Sequence, residues 1–297
     1  MNSISIQVPA STSNLGSGFD TLGLAVKLYN VLRVERFSGA GIRLGWDLNA
    51  DDQAWFEHAL GAAAKLFFRS ARNKAFGVRV GLKAAVPMAR GLGASATIRV
   101  GFLAALNGLS GAGLARERLL ELATELEGHP DNASPAIFGG FTVSGRVGKS
   151  VRCLSFPVSS GLQCVTLIPR AGISTEAARK LLPASYARAD AAHALNRSAL
   201  ITAAFASRKY GMLRGVFDDR MHQPYRAKLL PELSRVISAG EKAGALGGFL
   251  SGSGSSIMCL TLGSASPVAK AMKRELPDSD VLILAPAATG FRVLRTR

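Results

Sequence analysis

Cysteine, histidine, tryptophan and acidic residues are all scarce in this 297-residue chain, which carries 3 Cys, 4 His, 2 Trp and 20 Asp+Glu against 36 Lys+Arg. Cys153, Cys164 and Cys259 are odd in number, widely spaced and without a C-x-x-C pair, which excludes a disulfide framework and a zinc finger or ribbon. They read as reduced core residues of a cytosolic protein. No apolar run is long enough to span a bilayer, and Met1 to Ile6 offers no basic segment ahead of an apolar stretch, so neither a membrane protein nor an exported one is expected. Aromatics make up 7% of the residues, and no ribonucleoprotein motif, KH-type loop or finger spacing accompanies the basic charge. Nucleic acid is therefore not the expected partner. The formal charge of +16, split unevenly between the two halves, could instead steer a small polyanion or reflect a basic compositional habit.

What is present is the balance of a globular protein, 48% hydrophobic and 19% charged, over a length that suits two ordinary domains. The central stretch runs from Val86 to Asn107, V-P-M-A-R-G-L-G-A-S-A-T-I-R-V-G-F-L-A-A-L-N. A strand-like alternation over 76–82 precedes it, and Ile98, Phe102 and Ala105 then recur at helical spacing, so a short glycine loop opens a helix. The first turn of a helix presents unpaired N–H groups and the positive end of the peptide dipole, a natural seat for phosphate. The same residues also read as a plain tight turn, Gly91 and Gly93, with Ser95 capping the helix. A Walker loop is excluded, because its nearest match at Gly148-Lys149-Ser150 has Val143 at the first glycine position. A dinucleotide fingerprint fails too, since no Asp or Glu occurs between Gly91 and Arg116 to meet a ribose.

Along the chain, residues 3–8 alternate like a strand and lead to Pro9–Asp20, P-A-S-T-S-N-L-G-S-G-F-D, which reads as a loop of small and hydroxyl residues. Asn14 and Asp20 are its strongly polar side chains, suited to capping turns or to binding. Further strands are expected over 22–36, and a helix over 53–68 whose Trp55, Leu60, Ala64 and Phe67 form pure core. Residues 116–127 form a helix with Glu117, Glu121 and Glu125 on one solvated face, while Glu127 points from the apolar side at the disfavoured C-terminal end. A carboxylate there wants a cation, an arginine or a metal, unless the helix end frays into solvent. His129, Asp131 and Asn132 crowd together next, with Asp131 suited to an N-cap. Hairpin strands follow to about Pro157, and the polar break at 157–161 is the expected boundary between domains 1–158 and 159–297. The second half reads as a strand at 163–168, helices over 174–182, 189–208, 212–217 and 230–243, a polar turn at His222–Arg226, and a Gly/Ser loop over 247–256 too embedded to be a linker. A helix over 267–275 and strands near 281–284 and 290–294 close the chain.

Taken together, these loops resemble the GHMP kinases, and within them the homoserine kinase family. Pro9–Asp20 is similar to that family's P-A-T-S-A-N-L-G-P-G-F-D, Pro87–Thr97 to its phosphate motif P-x-x-x-G-L-G-S-S-A-A, and E-G-H-P-D-N (127–132), S-T-x-x-A-R (174–179), H-Q-P-Y-R (222–226) and G-G-F-L-S-G-S-G-S-S (247–256) to further segments. The resemblance covers essentially the whole chain. It implies an α+β, two-domain GHMP kinase fold, with an N-terminal half like domain 2 of ribosomal protein S5 and a ferredoxin-like C-terminal half. It implies a cytoplasmic kinase of amino-acid (threonine) biosynthesis that moves the ATP γ-phosphoryl to the side-chain hydroxyl of L-homoserine, with ATP and Mg²⁺ as cofactors and a homodimer admitted. By motif, Pro87, Met88, Ala89, Arg90, Gly91, Leu92, Gly93, Ala94, Ser95, Ala96 and Thr97 would wrap the nucleotide, and Ser95 with Glu127 would hold the metal. Asn14, Asp20, His129, Asn132, Arg179 and Arg226 would line the amino-acid site, Asp20 suiting an ammonium and the two arginines a carboxylate. Asn132 is no base, and it would orient the acceptor hydroxyl.

The sequence departs from the family pattern at Ala94, Ser17 and Ser255-Ser256, where Ser, Pro and Pro-Thr are usual. None of these removes an expected ligand. Glu127 stands only two residues before His129, which leaves Glu121 and Glu125 as alternative metal carboxylates. A related kinase acting on a mevalonate-like or sugar hydroxyl, and a basic RNA-binding protein, are the competing readings.

Overall fold

The computed structural model describes residues 2–45 and 50–294. β1 (Ser3–Asn14) and β2 (Gly18–Phe37) make a long antiparallel pair. The N-terminal half continues with β3 (Ile42–Leu44), α1 (Ala50–Ala71), β4 (Gly77–Lys83), α2 (Ala94–Ser110), α3 (Arg116–Glu127), α4 (Ala133–Phe138), and the hairpin β5 (Phe141–Val147) and β6 (Ser150–Phe156). The alternation of Ile4, Ile6 and Val8 on β1 puts these side chains on one face, where they meet Leu32 and Val34 of β2, Phe102 and Leu106 of α2, and Leu60 and Phe67 of α1 in one core.

The second half contains β7 (Gln163–Ile168), α5 (Thr175–Lys180), α6 (Arg188–Ala206), α7 (Gln223–Arg226), α8 (Leu233–Lys242), β8 (Gly247–Leu250), β9 (Ile257–Thr261), α9 (Ala265–Glu275), β10 (Asp280–Leu284) and β11 (Arg292–Leu294). Its four-stranded antiparallel sheet runs β10-β7-β9-β8, with helices after the first and third strands, the split βαββαβ arrangement of ferredoxin-like folds. β11 does not stay with that sheet. It pairs with β1 at the edge of the seven-stranded sheet, in the order β11-β1-β2-β4-β3 with β5 and β6 attached at β2. A second core joins the halves, with Leu22, Leu24 and Phe141 packed among Phe205, Leu213 and Phe249. Phe141 and Phe205 stack with ring centroids 4.1 Å apart.

Several expectations change in the structure. Pro9–Asp20 is largely strand: β1 extends to Asn14 because the small side chains Ala10, Ser11, Thr12 and Ser13 pair with β2 and are buried. Only 15–17 turn, with Asn14, Leu15 and Gly16 at positive φ. The helix expected at 212–217 shrinks to a 3₁₀ turn, Tyr210–Leu213, cut short before Gly215 at φ 71°. The next helix starts at Leu233 and not at Leu230, since Pro231 follows an extended Leu230. His222–Arg226, read as a turn, closes one turn of helix, and residues 247–250 of the Gly/Ser loop are strand.

Candidate active site

One cleft of about 560 Å³ collects residues from both halves of the chain. Its floor is the loop before α2 and the first turn of that helix. Gly93, the cap, adopts φ 68°, and a Cβ there would lie 2.2 Å from Ser11 Oγ. Gly91, at φ 70°, is closed even more tightly, with a Cβ falling 2.0 Å from the Ser251 carbonyl oxygen. Both positions therefore require glycine on conformational and steric grounds. Met88, Ala89, Arg90, Gly91, Gly93, Ala94 and Ser95 line the cleft, while Leu92, Ala96 and Thr97 are buried beneath it. Thr97 Oγ1 accepts from Asn30 Nδ2 at 2.8 Å and donates to the Ala94 carbonyl at 2.7 Å, stiffening the first turn from below.

The Gly/Ser segment after β8 supports that loop. Ser251 Oγ sits 2.7 Å from the Gly91 carbonyl, and Ser256 N donates to the Arg90 carbonyl at 3.1 Å. Arg90 in turn donates to the carbonyls of Pro169 and Arg170, tying the loop to the end of β7.

At the α2 end, Ser95 Oγ donates to Glu127 Oε2 at 3.0 Å, and Arg99 Nη1 meets Glu127 Oε1 at 2.6 Å. The Glu127 side chain is 7% exposed. The cation that its position demanded is thus an arginine one helical turn beyond Ser95. Glu121 and Glu125 are elsewhere, paired with Arg118 and Arg69 outside the cleft. Trp55, expected to be core, instead lines the cleft, with the Arg99 guanidinium 5.8 Å from its ring centre.

The same cleft also gathers Asn14, Asp20, His129, Asn132, Arg179 and Arg226. Arg179 grips Asp20 through two hydrogen bonds, 2.7 and 3.1 Å. Asn14 Oδ1 accepts from Asp20 N at 3.1 Å, and its Nδ2 donates to the Gly252 carbonyl at 3.1 Å. Asn14 and Asp20 hold φ 70° and 53°, strained backbone of the kind that accumulates at functional sites. Asn132 is held at both ends of its amide, accepting from Ser11 Oγ and donating to Ser13 Oγ, each at 3.0 Å.

Arg226 is 2% exposed, and its Nη1 donates to the Gly252 carbonyl at 2.9 Å, while its Nε has no partner among the described residues. Burial, reinforced by the nearby Arg179 charge, pushes its pKa down to about 10, so it stays charged at neutral pH. His222 Nδ1 accepts from Arg226 at 3.2 Å, which leaves Nε2–H to donate to the Gly16 carbonyl at 2.8 Å. Burial holds this imidazole below its usual pKa, consistent with the neutral form. Asp219 anchors the turn, its carboxylate accepting from the backbone N–H of Met221, His222 and Gln223.

Asp131, suited by sequence to an N-cap, does not cap α4, whose cap is Asn132 without a side-chain bond. Asp131 is instead buried and hydrogen-bonded to His129 Nδ1. Burial alone would lower the His129 pKa and raise that of Asp131, yet their mutual hydrogen bond and charge reverse both, lifting His129 and lowering Asp131. Asp20, His129 and Asp131 place ligand atoms within 4.8 Å of one another. Their existing partners, Arg179 and each other, mark the cluster as a charge-balanced pocket.

Comparison with known proteins follows the same lines. The family model for the GHMP kinases N-terminal domain matches residues 58–140, and that for the GHMP kinases C-terminal region matches 200–278. Fold and cleft together define a GHMP kinase. The chain is 37% identical to the homoserine kinase of Moorella thermoacetica over 90% of both chains, and 38% identical to that of Caldicellulosiruptor bescii over 86% of this chain and 84% of the other. The crystal structure of homoserine kinase from Cytophaga hutchinsonii superposes with a TM-score of 0.89 at 27% identity, over 99% of this chain and 98% of that one. The chain belongs to the homoserine kinase family.

Proposed function

We infer that the protein transfers the γ-phosphoryl group of ATP to the side-chain hydroxyl of L-homoserine. Family membership supports the reaction, and one observation carries the site: a single cleft is lined by both a helix-terminal glycine loop and an Asp20–Arg179–Arg226 charge set. The first suits phosphates through free N–H groups and the helix dipole. The second suits an α-amino acid, with Asp20 for the ammonium and the two arginines for the carboxylate. Asp20 and Arg179 satisfy each other in the free protein, so a zwitterion would replace one ion pair with two.

Ser95 and Glu127 offer adjacent hard oxygen donors, which fit Mg²⁺ that keeps several waters and takes phosphate oxygens. Bound there, the ion would neutralise phosphate charge. Asn132, locked by Ser11 and Ser13, orients the acceptor hydroxyl without removing its proton. Phosphoryl transfer depends mainly on such positioning and electrostatics. The hydrogen bond to Asp131 fixes the His129 imidazole at the amino-acid site and raises its pKa. Among the described residues no helix is long and apolar enough to cross a membrane, and reduced cysteines favour the cytoplasm. Calorimetry with L-homoserine tests the pocket: Asp20→Asn and Arg179→Gln should each weaken binding at least about tenfold, and unchanged affinity in both would sink the assignment.

A further inference from the structure

Arg99 is a cleft cation whose partner the proposed metal would take away with no replacement yet assigned. The other arginines of the cleft have roles elsewhere: Arg90 holds the carbonyls of Pro169 and Arg170, while Arg179, paired with Asp20, and Arg226, bonded to the Gly252 carbonyl, are assigned to the substrate carboxylate. Arg99 rests on Glu127, the carboxylate to which a divalent cation is assigned. Both Glu127 oxygens are occupied in the free protein, Oε2 by Ser95 and Oε1 by Arg99. Once Glu127 gives its carboxylate to a divalent cation, Arg99 loses that ion pair. Its side chain is only 17% exposed, and its Nε already lacks a partner among the described residues. A half-buried guanidinium in that state is costly unless another anion replaces the first.

Helix geometry supplies the replacement. Ser95 and Arg99 stand at i and i+4 on α2, hence on one face, and helical side chains lean toward the N-terminus. Arg99 therefore reaches back along α2 toward the loop where phosphates would sit, and its flat fork suits phosphate oxygens in a bidentate contact. We propose that Arg99 is a nucleotide-phosphate ligand, stored on Glu127 in the empty protein and transferred to the ATP phosphates when Glu127 turns to the metal. Every charge keeps a partner in both states. This rests on the reading that the cleft binds Mg-ATP.

The test separates direct phosphate contact from mere support of Glu127. In a Glu127→Gln background, where the carboxylate can no longer hold metal or arginine as an anion, metal-free ATP binding is measured by calorimetry in EDTA with and without Arg99→Gln. Loss of about tenfold or more in affinity on removing Arg99 is expected, the worth of one charge-assisted contact, with Arg99→Lys recovering part of it. Equal affinity of the single and double variants overturns the proposal. A measurement on the unaltered chain backs this up should the variants fold poorly. The Arg99 Nε–H resonance should shift when Mg-ATP is added to ¹⁵N-arginine-labelled protein, and no shift under saturating Mg-ATP also overturns it. Failure of the unaltered protein to bind Mg-ATP at all would instead discard the kinase reading.

Discussion

The three residues asked to act on the reacting groups, Ser95, Glu127 and Asn132, differ in what their loss should do. Glu127→Gln keeps the shape but removes the charge, and turnover with Mg-ATP should fall by about a hundredfold or more in steady-state assays. Retained activity would move the metal carboxylate elsewhere. Asn132→Asp should leave homoserine binding largely intact by calorimetry, because Ser11 and Ser13 can still anchor that side chain. Loss of binding would mean that the amide itself holds the amino acid. His129 carries a pH signature. Its raised folded pKa means that its pairing with Asp131 contributes fully below the ordinary value of 6.5 and fades as pH climbs through the folded value. In urea unfolding, the gap between the unaltered protein and His129→Gln should be larger at about pH 6 than at about pH 9. Asn14, Asp20, His129, Asn132, Arg179 and Arg226 were legible by motif, whereas the burial of Asp131 depends on a fold that three polar letters in four positions do not reveal. Arg99 was invisible for a different reason: it lies inside an apolar helix pattern, and only the packing of α3 against α2 brings Glu127 to it.

At the scale of elements, the loop before α2 and the segment after β8 act as one unit. Gly91→Ala would push a Cβ into the Ser251 carbonyl at a positive φ, at a cost of about 2 kcal/mol or more. Chemical denaturation should show that loss together with weakened nucleotide binding, whereas Gly211→Ala, with nothing within 4 Å of its Cβ, should be nearly silent. The turn at 219–226 has a similar dependence on one side chain. Asp219→Ala strips the acceptor from three N–H groups, so about 2 kcal/mol or more should be lost. Homoserine binding should weaken in parallel, because Arg226 rides on that turn. Strands and long helices were readable from periodicity over 163–168, 76–82 and 116–127. The stretch at 9–14 was not, since small hydroxyl residues carry loop propensity, and only pairing with β2 and bonds to Ser251 and Asn132 make it strand. The short 3₁₀ turn at 210–213 likewise reflects Gly215 overriding a weak helical pattern.

For the whole molecule, the two halves share a core and a cleft. The cut at 158/159 falls between β6 and β7, while β11 returns to the first sheet and Arg90 ties the glycine loop to the end of β7. The cleft thereby draws its lining from both halves, which would hold two bound reactants in register. The charge excess of +16 has no macromolecular motif to serve and suits one polyanionic reactant, the nucleotide. The central claim is the pairing of this cleft with one acceptor. Its most direct test is ADP release by the purified protein with Mg-ATP, comparing L-homoserine with mevalonate, galactose and no acceptor. The account predicts turnover with L-homoserine alone. Turnover on another hydroxyl with none on homoserine would contradict it, leaving the phosphate end standing and the amino-acid pocket refuted.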